Sequence, residues 1–311
     1  MLDLRRLRLL RELARRGTIT AVAQALSYSP SAVSQQLATL EKEAGVRLLE
    51  PAGRRVRLTA QADLLVTHTE VLLEEMARAE AALARSLNQT VGTLRVAAFQ
   101  TAVLALVPDA LSQLTRQHPA LRVEVTELGP EAALPALIAG EFDLVLGEEY
   151  PGFPLPRPRE TERHDLLTDE LHLITPARWS ERSLPGLASR PFVLEPVGTA
   201  ARHWATAACR QAGFEPDPRY TTTDLQIHLR LVESGLAAAL LPDLSGAADR
   251  HDAAAHRLPG RPSRQIFTTV RSGAARHPKV QAFTTALQAR GPRPGPERVA
   301  PSFLPDPPDQ E

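Results

Sequence analysis

The chain has 311 residues, enough for two or three folding units, and its basic and acidic side chains balance at 36 each. Hydrophobic residues make up 43%, no apolar run reaches the length of a membrane span, and the leucine–arginine alternation at the N-terminus lacks the apolar core of a secretory signal, so a soluble protein is expected. The single cysteine, Cys209, excludes an internal disulfide, fits a reducing cytoplasmic compartment and reads as a buried, inert thiol.

In chain order, the first element is an amphipathic helix over residues 2–15, with Leu2, Leu7, Leu10 and Leu13 on one face. A short helix over about residues 20–26 follows, with Val22, Ala25 and Leu26 turned inward. Thr18 or Thr20 can cap it and bring backbone N–H groups near a phosphate. Ser27-Tyr28-Ser29 is a turn, and a second helix opens with Ser29 as N-cap and Pro30 at the first helical position. Val33, Leu37, Leu40 and Ala44 recur at helical spacing and share one face. Ser31, Ser34, Gln35 and Ala38 share the opposite face, which is short, uncharged and rich in hydrogen-bonding groups. A helix lying in a DNA major groove needs such a surface, and Gln35 can pair with an adenine edge. Gly45 ends the helix. Residues 48–59 then read as a small hairpin wing, with Arg54 and Arg55 near the tip and Arg57 in phase with Arg55. Arginines so placed reach phosphate or a narrow minor groove.

Charge agrees with this reading. Residues 1–60 hold eleven basic and five acidic side chains, whereas the rest of the chain holds 25 and 31. A neutral chain has concentrated its positive charge in one small region, the footprint of a nucleic-acid binder.

Thr59 caps a long helix over residues 59–89, whose stripe Leu65, His68, Leu72, Met76, Ala79 and Leu83 requires a partner and is read as a dimerisation surface. From Val91 the pattern becomes strand–helix–strand–helix–strand: strands over 93–99, 121–128 and 142–148, helices over 101–119 and 131–140. Leu155 begins a proline-rich surface segment. A second round has strands at 170–176, 191–196, 219–223 and 236–242 and helices over 200–212 and 224–234. A late strand at 264–270 and a helix over 279–290 return to the first sheet. Two α/β lobes joined by two crossings make a hinged cleft, a usual place for a small ligand. Residues 291–311 contain seven prolines and read as a disordered tail.

These residues together resemble the LysR-type transcriptional regulators over about residues 2–290. The most specific parts are A-V-S-Q-Q at 32–36, L-E-K-E-A-G-V-R-L-L at 40–49 and R-L-T at 57–59, followed by the long helix. The resemblance implies an α/β chain with an all-α winged helix-turn-helix domain at 1–58 and a linker and dimerisation helix at 59–90. It also implies a two-lobed, periplasmic-binding-protein-like effector domain at 91–290. Lobe I would span about 91–162 and 264–290, and lobe II about 163–263. It implies a homodimer or homotetramer on double-stranded promoter DNA, a small-molecule effector in the cleft and RNA polymerase as a further partner. Carried over by position, Pro30, Ser31, Ser34 and Gln35 read bases and backbone, and Arg54 and Arg55 sit on the wing. Many members have arginine where this chain has Gln35 and phenylalanine where it has Leu49, so a guanine preference is not carried over. The family's effector position maps to Gln100-Thr101 and Gly198-Thr199, at the N-termini of the first helix of each lobe. Backbone N–H groups there favour an anion, and Arg202 adds a cation. Thr101 and Thr199 can equally serve as helix caps.

No catalytic elbow, phosphate loop, dinucleotide fingerprint or zinc-protease motif is present, so an enzyme, cofactor or metal is not expected. His251 and His256 are placed in a polar loop. An architectural DNA binder without effector control, or a solute-binding protein or enzyme built on the two lobes, stands as the alternative. The roughly two hundred residues of α/β pattern exceed what DNA contact alone requires.

Overall fold

The computed structural model describes residues 1–26, 28–52, 55–87 and 90–289, with the backbone alone for residues 52 and 55. The expected tail at 291–311, the tip residue Arg54 and the side chain of Arg55 lie outside the described residues.

Helices α1 (Leu4–Arg16), α2 (Ile19–Ala25) and α3 (Pro30–Ala44) are closed by a two-stranded wing, β1 (Leu49–Ala52) with β2 (Arg55–Leu58). The wing is antiparallel, with Leu49 opposite Leu58. Leu7, Leu10, Leu13, Val22, Val33, Leu37 and Leu40 form one buried cluster, so each helix commits its apolar face to the same core. Thr18, not Thr20, caps α2, accepting from Ala21 N at 3.2 Å. Gly17 and Gly45 end α1 and α3 in the left-handed conformation, with φ of 72° and 68°. Helix α4 (Ala60–Ser86) opens on the Thr59 cap, and its N-terminal part, through Ala62, Leu65 and Val66, packs on the same core.

The rest of the chain is one curled, seven-stranded mixed sheet with a smaller two-stranded sheet beside it. Strand β3 (Gly92–Ala98), helices α5 (Gln100–Ala105) and α6 (Val107–Gln117), strand β4 (Leu121–Glu127), helix α7 (Pro130–Ala139) and strand β5 (Leu144–Glu149) build the first lobe. Strands β3, β4 and β5 are parallel, as the expected crossovers require. The single helix expected over 101–119 is two helices that break at Leu106. Pro108, in the first turn of α6, supplies no N–H and its ring disfavours a continuous helix through Leu104, so the chain restarts there.

Strand β6 (Thr161–Pro176) is 16 residues long and serves both lobes. The lobe boundary expected at 162–163 therefore falls within a strand. Beyond it come β7 (Pro191–Leu194), α8 (Ala200–Gln211), β8 (Asp217–Thr221), α9 (Leu225–Glu233), β9 (Ala239–Pro242) and β10 (Ala253–Arg257). Strand β11 (Ser263–Arg271) returns between β5 and β6, and α10 (Pro278–Gln288) packs on the first lobe. Strand β10 was not anticipated, because A-A-A-H-R has no apolar alternation; it pairs with the C-terminal half of β6. His256 accordingly lies in a strand rather than a loop, with Nε2 2.9 Å from Thr175 Oγ1.

Each lobe has its own core. Leu94, Val96, Leu144, Ile266 and Phe283 fill the first, and Phe192, Leu194, Trp204 and Cys209 fill one face of the second. Cys209 is buried and free, and desolvation pushes its thiol up to about 12, which suits an inert side chain. Among the described residues no helix is long and apolar enough to cross a membrane.

Candidate DNA-reading face and interlobe cleft

The DNA-reading candidate is built by α3. Its N-terminus is fixed by Ser29 Oγ, which accepts from Ala32 N at 3.1 Å, and by Pro30 in the first turn. Val33, Leu37 and Leu40 are fully buried beneath it. Thr20, Pro30, Ser31, Ser34, Gln35 and Ala38 are exposed. The helix thus presents a strip of two serines and a glutamine while its other face is locked in the core. Ser31 and Ser29 hydroxyls lie 3.0 Å apart, Thr39 Oγ1 donates to the Gln35 backbone carbonyl at 2.9 Å, and Gln35 is exposed. Gln36 is turned away, accepting from Arg6 Nε at 2.9 Å. On the wing, exposed Arg57 pairs with Glu50 across the hairpin at 2.9 Å. Tyr28, the middle residue of the expected turn, is half exposed beside the α3 cap.

The cleft candidate lies where the carboxyl ends of β3 and β5 face α8 and α9. Gln100 bridges the lobes: its Nε2 donates to Asp224 Oδ1 at 3.0 Å, and its Oε1 accepts from Leu225 N at 2.8 Å. Thr101 is buried and does not cap α5, because Phe99 occupies the N-cap position without a side-chain bond. Thr101 Oγ1 instead accepts from Arg264 Nη2 at 2.6 Å. Thr199 does cap α8, accepting from Arg202 N at 3.2 Å and donating to Pro196 O at 3.1 Å. Gly198 precedes it with φ of 103°, a conformation that favours glycine. Arg202 Nη1 donates to Glu195 O at 3.2 Å. The sequence-selected residues therefore occur in two groups, one on each lobe, and Gln100, Thr101, Thr199 and Arg202 have protein partners.

Sequence reasoning missed the groups that dominate the charge here. Arg264 on β11 is 1% exposed. It donates to Asp169 Oδ2 through Nη2 at 2.7 Å and Nε at 2.9 Å, to Tyr150 Oη at 3.3 Å and to Glu148. Burial pushes the Asp169 and Glu148 carboxyls up, and Arg264 opposes that push. The same carboxylates hold the Arg264 guanidinium protonated against its own desolvation. Glu195, largely buried, is pushed up to about 7 by desolvation and then by the neighbouring Glu148 charge, with the Thr199 hydroxyl bond opposing. The available signal was position: Gly-Glu-Glu closes β5 at the carboxyl end of a parallel strand, where ligand sites of α/β sheets lie. Among the described residues no group of three or more histidine, cysteine or carboxylate side chains is arranged to hold a metal.

Comparison with known proteins fits this architecture. Residues 4–63 match the model of the bacterial regulatory helix-turn-helix protein, lysR family, and residues 87–292 match that of the LysR substrate binding domain. The probable HTH-type transcriptional regulator LrrA of Synechococcus elongatus is 29% identical over 301 residues, covering 94% of this chain and 98% of its own. In fold, the chain is similar to full-length OxyR of Pseudomonas aeruginosa, with a TM-score of 0.61, 20% identity and coverage of 93% and 95% of the two chains. It is also similar to full-length CbnR solved with its target DNA, with a TM-score of 0.51, 24% identity and coverage of 93% and 99%. With both family models matched in order and the second alone spanning most of the chain, this protein belongs to the LysR family of helix-turn-helix transcriptional regulators.

Proposed function

We propose that the chain is an oligomeric regulator that reads a promoter through α3, pairs through α4 and senses a small molecule in the interlobe cleft. In this reading residues 1–58 bind DNA, 59–90 join subunits and 91–290 receive the effector. The protein acts in the cytoplasm, turns over no substrate and meets RNA polymerase at the promoter. Pro30, Ser31, Ser34 and Gln35 face the major groove, Thr20 approaches a phosphate, and Arg54 and Arg55 extend the grip from the wing.

The observation that carries the proposal is the division of α3: Val33, Leu37 and Leu40 are buried while Ser31, Ser34 and Gln35 are exposed. A helix held this rigidly from behind can present hydrogen-bonding groups in fixed register to base edges. Selection of duplexes from a random pool by the full-length protein tests it. A preferred sequence is expected, with steep salt dependence, and enrichment of none would overturn the reading.

For the effector, the proposed contacts are Gln100, Thr101, Gly198, Thr199 and Arg202. The N-terminus of α8 favours a carboxylate or phosphate on the ligand. Glu148 and Glu195 on the neighbouring wall favour a cationic or hydrogen-donating group on the same molecule. Binding rotates one lobe on the other about β6 and β11 and changes the spacing of the DNA-binding domains. A DNA footprint that a proven effector leaves unaltered would refute that coupling. Thr101→Ala and Thr199→Ala variants with an unchanged effector response would place the ligand elsewhere.

A further inference from the structure

Away from the cleft, a cavity of about 530 Å³ opens where α1, α4 and the first lobe meet. Its first-lobe wall is crowded with positive charge. Arg95 and Arg271, which line it, turn to one carboxylate, Asp143, at 3.3 and 3.6 Å, and Lys279, which does not line the cavity, reaches the same carboxylate at 3.3 Å. Arg8 joins them from α1, where its guanidinium donates to Ala139 O at the end of α7. Burial holds the Arg271 pKa below the usual guanidinium value; Asp143 opposes it, and the smaller like charges of Arg8 and Arg95 add to the lowering. Three cations thus meet at a single carboxylate, with the Arg8 charge close to Arg271.

The cavity is also lined by Glu70, Glu74, Glu80 and Glu160, so its lining holds both signs of charge. Glu74 pairs with Arg78 and Glu160 with Arg15. Burial and then the neighbouring Glu160 carboxyl push the Glu70 pKa up, with Arg11 and Arg15 opposing. Arg11, 4% exposed, donates to Ile138 O at 3.1 Å and to Glu12 at 2.6 Å, and its buried Nε has no hydrogen-bond partner among the described residues. The seat is close-fitting: a Cβ on Gly140 would come within 2.7 Å of Arg8 Nη2.

We propose that this cavity binds a small, multiply charged anion, a phosphate-bearing or polycarboxylate metabolite, through Arg8 of the DNA-binding domain and Arg95 and Arg271 of the first lobe. Guanidinium groups grip phosphate and carboxylate oxygens in pairs, and three of them lining one cavity suit a ligand with several such oxygens, Arg271 Nη1 being already committed to Leu137 O and Phe142 O at 3.0 and 2.6 Å. Because Arg8 belongs to α1 while Arg95 and Arg271 belong to the sheet, the anion ties the DNA-binding domain to the lobe. Its occupancy is an input separate from the cleft effector.

Calorimetric titration of the full-length protein with inorganic pyrophosphate, and with citrate, at constant ionic strength tests the site. Saturable binding is expected, weakened about tenfold or more by Arg8→Ala and by Arg95→Gln. Arg8→Lys should recover part of it, and Thr199→Ala in the cleft should leave it unchanged. Thermal unfolding without anion establishes that each variant folds; should Arg8→Ala fail, Arg95→Gln and Arg8→Lys carry the comparison. No saturation beyond that of chloride, or equal binding by all variants, overturns the site. A saturating DNA duplex that abolishes the pyrophosphate isotherm assigns the arginines to backbone phosphate and overturns it also.

Discussion

Arg264 Nη2 donates to Thr101 Oγ1 at 2.6 Å, fastening the strand that returns between the lobes to the first helix of the first lobe. The same guanidinium faces Asp169 and Glu148, so one side chain holds the cleft floor together. Arg264→Met strands two buried carboxylates and is expected to cost about 3–5 kcal/mol. Denaturant unfolding measures this, and adding Asp169→Leu should return part of the loss. A single replacement within about 0.5 kcal/mol of wild type would show that the network is not holding the floor.

Gln35→Ala should relax base preference while sparing nonspecific affinity. Loss of a bidentate base contact is expected to remove about 1–3 kcal/mol of discrimination at one base pair. Competition between the selected duplex and its single-base variants checks it. A uniform loss across all sequences would instead assign Gln35 to backbone positioning.

Glu195 gives a pH dependence with a defined sign. Its folded-state pKa, about 7, lies above the ordinary carboxylate value, so the folded protein binds the proton more tightly than the unfolded chain. Its contribution is present below the unfolded value and is lost as pH rises through about 7. The stability difference between wild type and Glu195→Gln should therefore move against wild type from about pH 5 to about pH 8. Unfolding midpoints of the two proteins across that range decide it; parallel curves would sink the assignment.

Leu64, Val71, Leu72 and Leu83 are exposed on α4, an arrangement costly for an isolated helix in water. Leu72→Glu with Leu83→Glu is expected to shift sedimentation toward monomer and to weaken binding to a two-half-site duplex more than to a single half-site. An unchanged oligomer would place the subunit contact on another surface.

The N-terminal unit was legible because its signals are local. Ser29, Pro30 and Gly45 mark both ends of α3, and Val33, Leu37 and Leu40 fix its buried face within one helix. The strands of the first lobe were legible for the same reason. What the sequence concealed is nonlocal. Nothing near residue 264 announces that its arginine meets Asp169 and Glu148, which are 95 and 116 positions away. Thr101 resembled a cap, yet Phe99 took that position and the hydroxyl went to Arg264. Strand β10 was invisible because its alanines acquire strand character only by pairing with β6. The split between α5 and α6 was readable from Pro108 and was missed.

Strand β6 runs without interruption from one lobe into the other, and its pairing with β11 slips by one residue at Leu166, between Ile266 and Phe267. A joint made of two hydrogen-bonded ribbons resists wide gaping, because opening it must shear ladder bonds. It yields far more readily to torsion, and an extra residue in one ribbon concentrates that torsion at a single level. The lobe rotation proposed for effector binding is therefore expected to run as a small screw-like turn about the paired strands, not as the swing of a jaw.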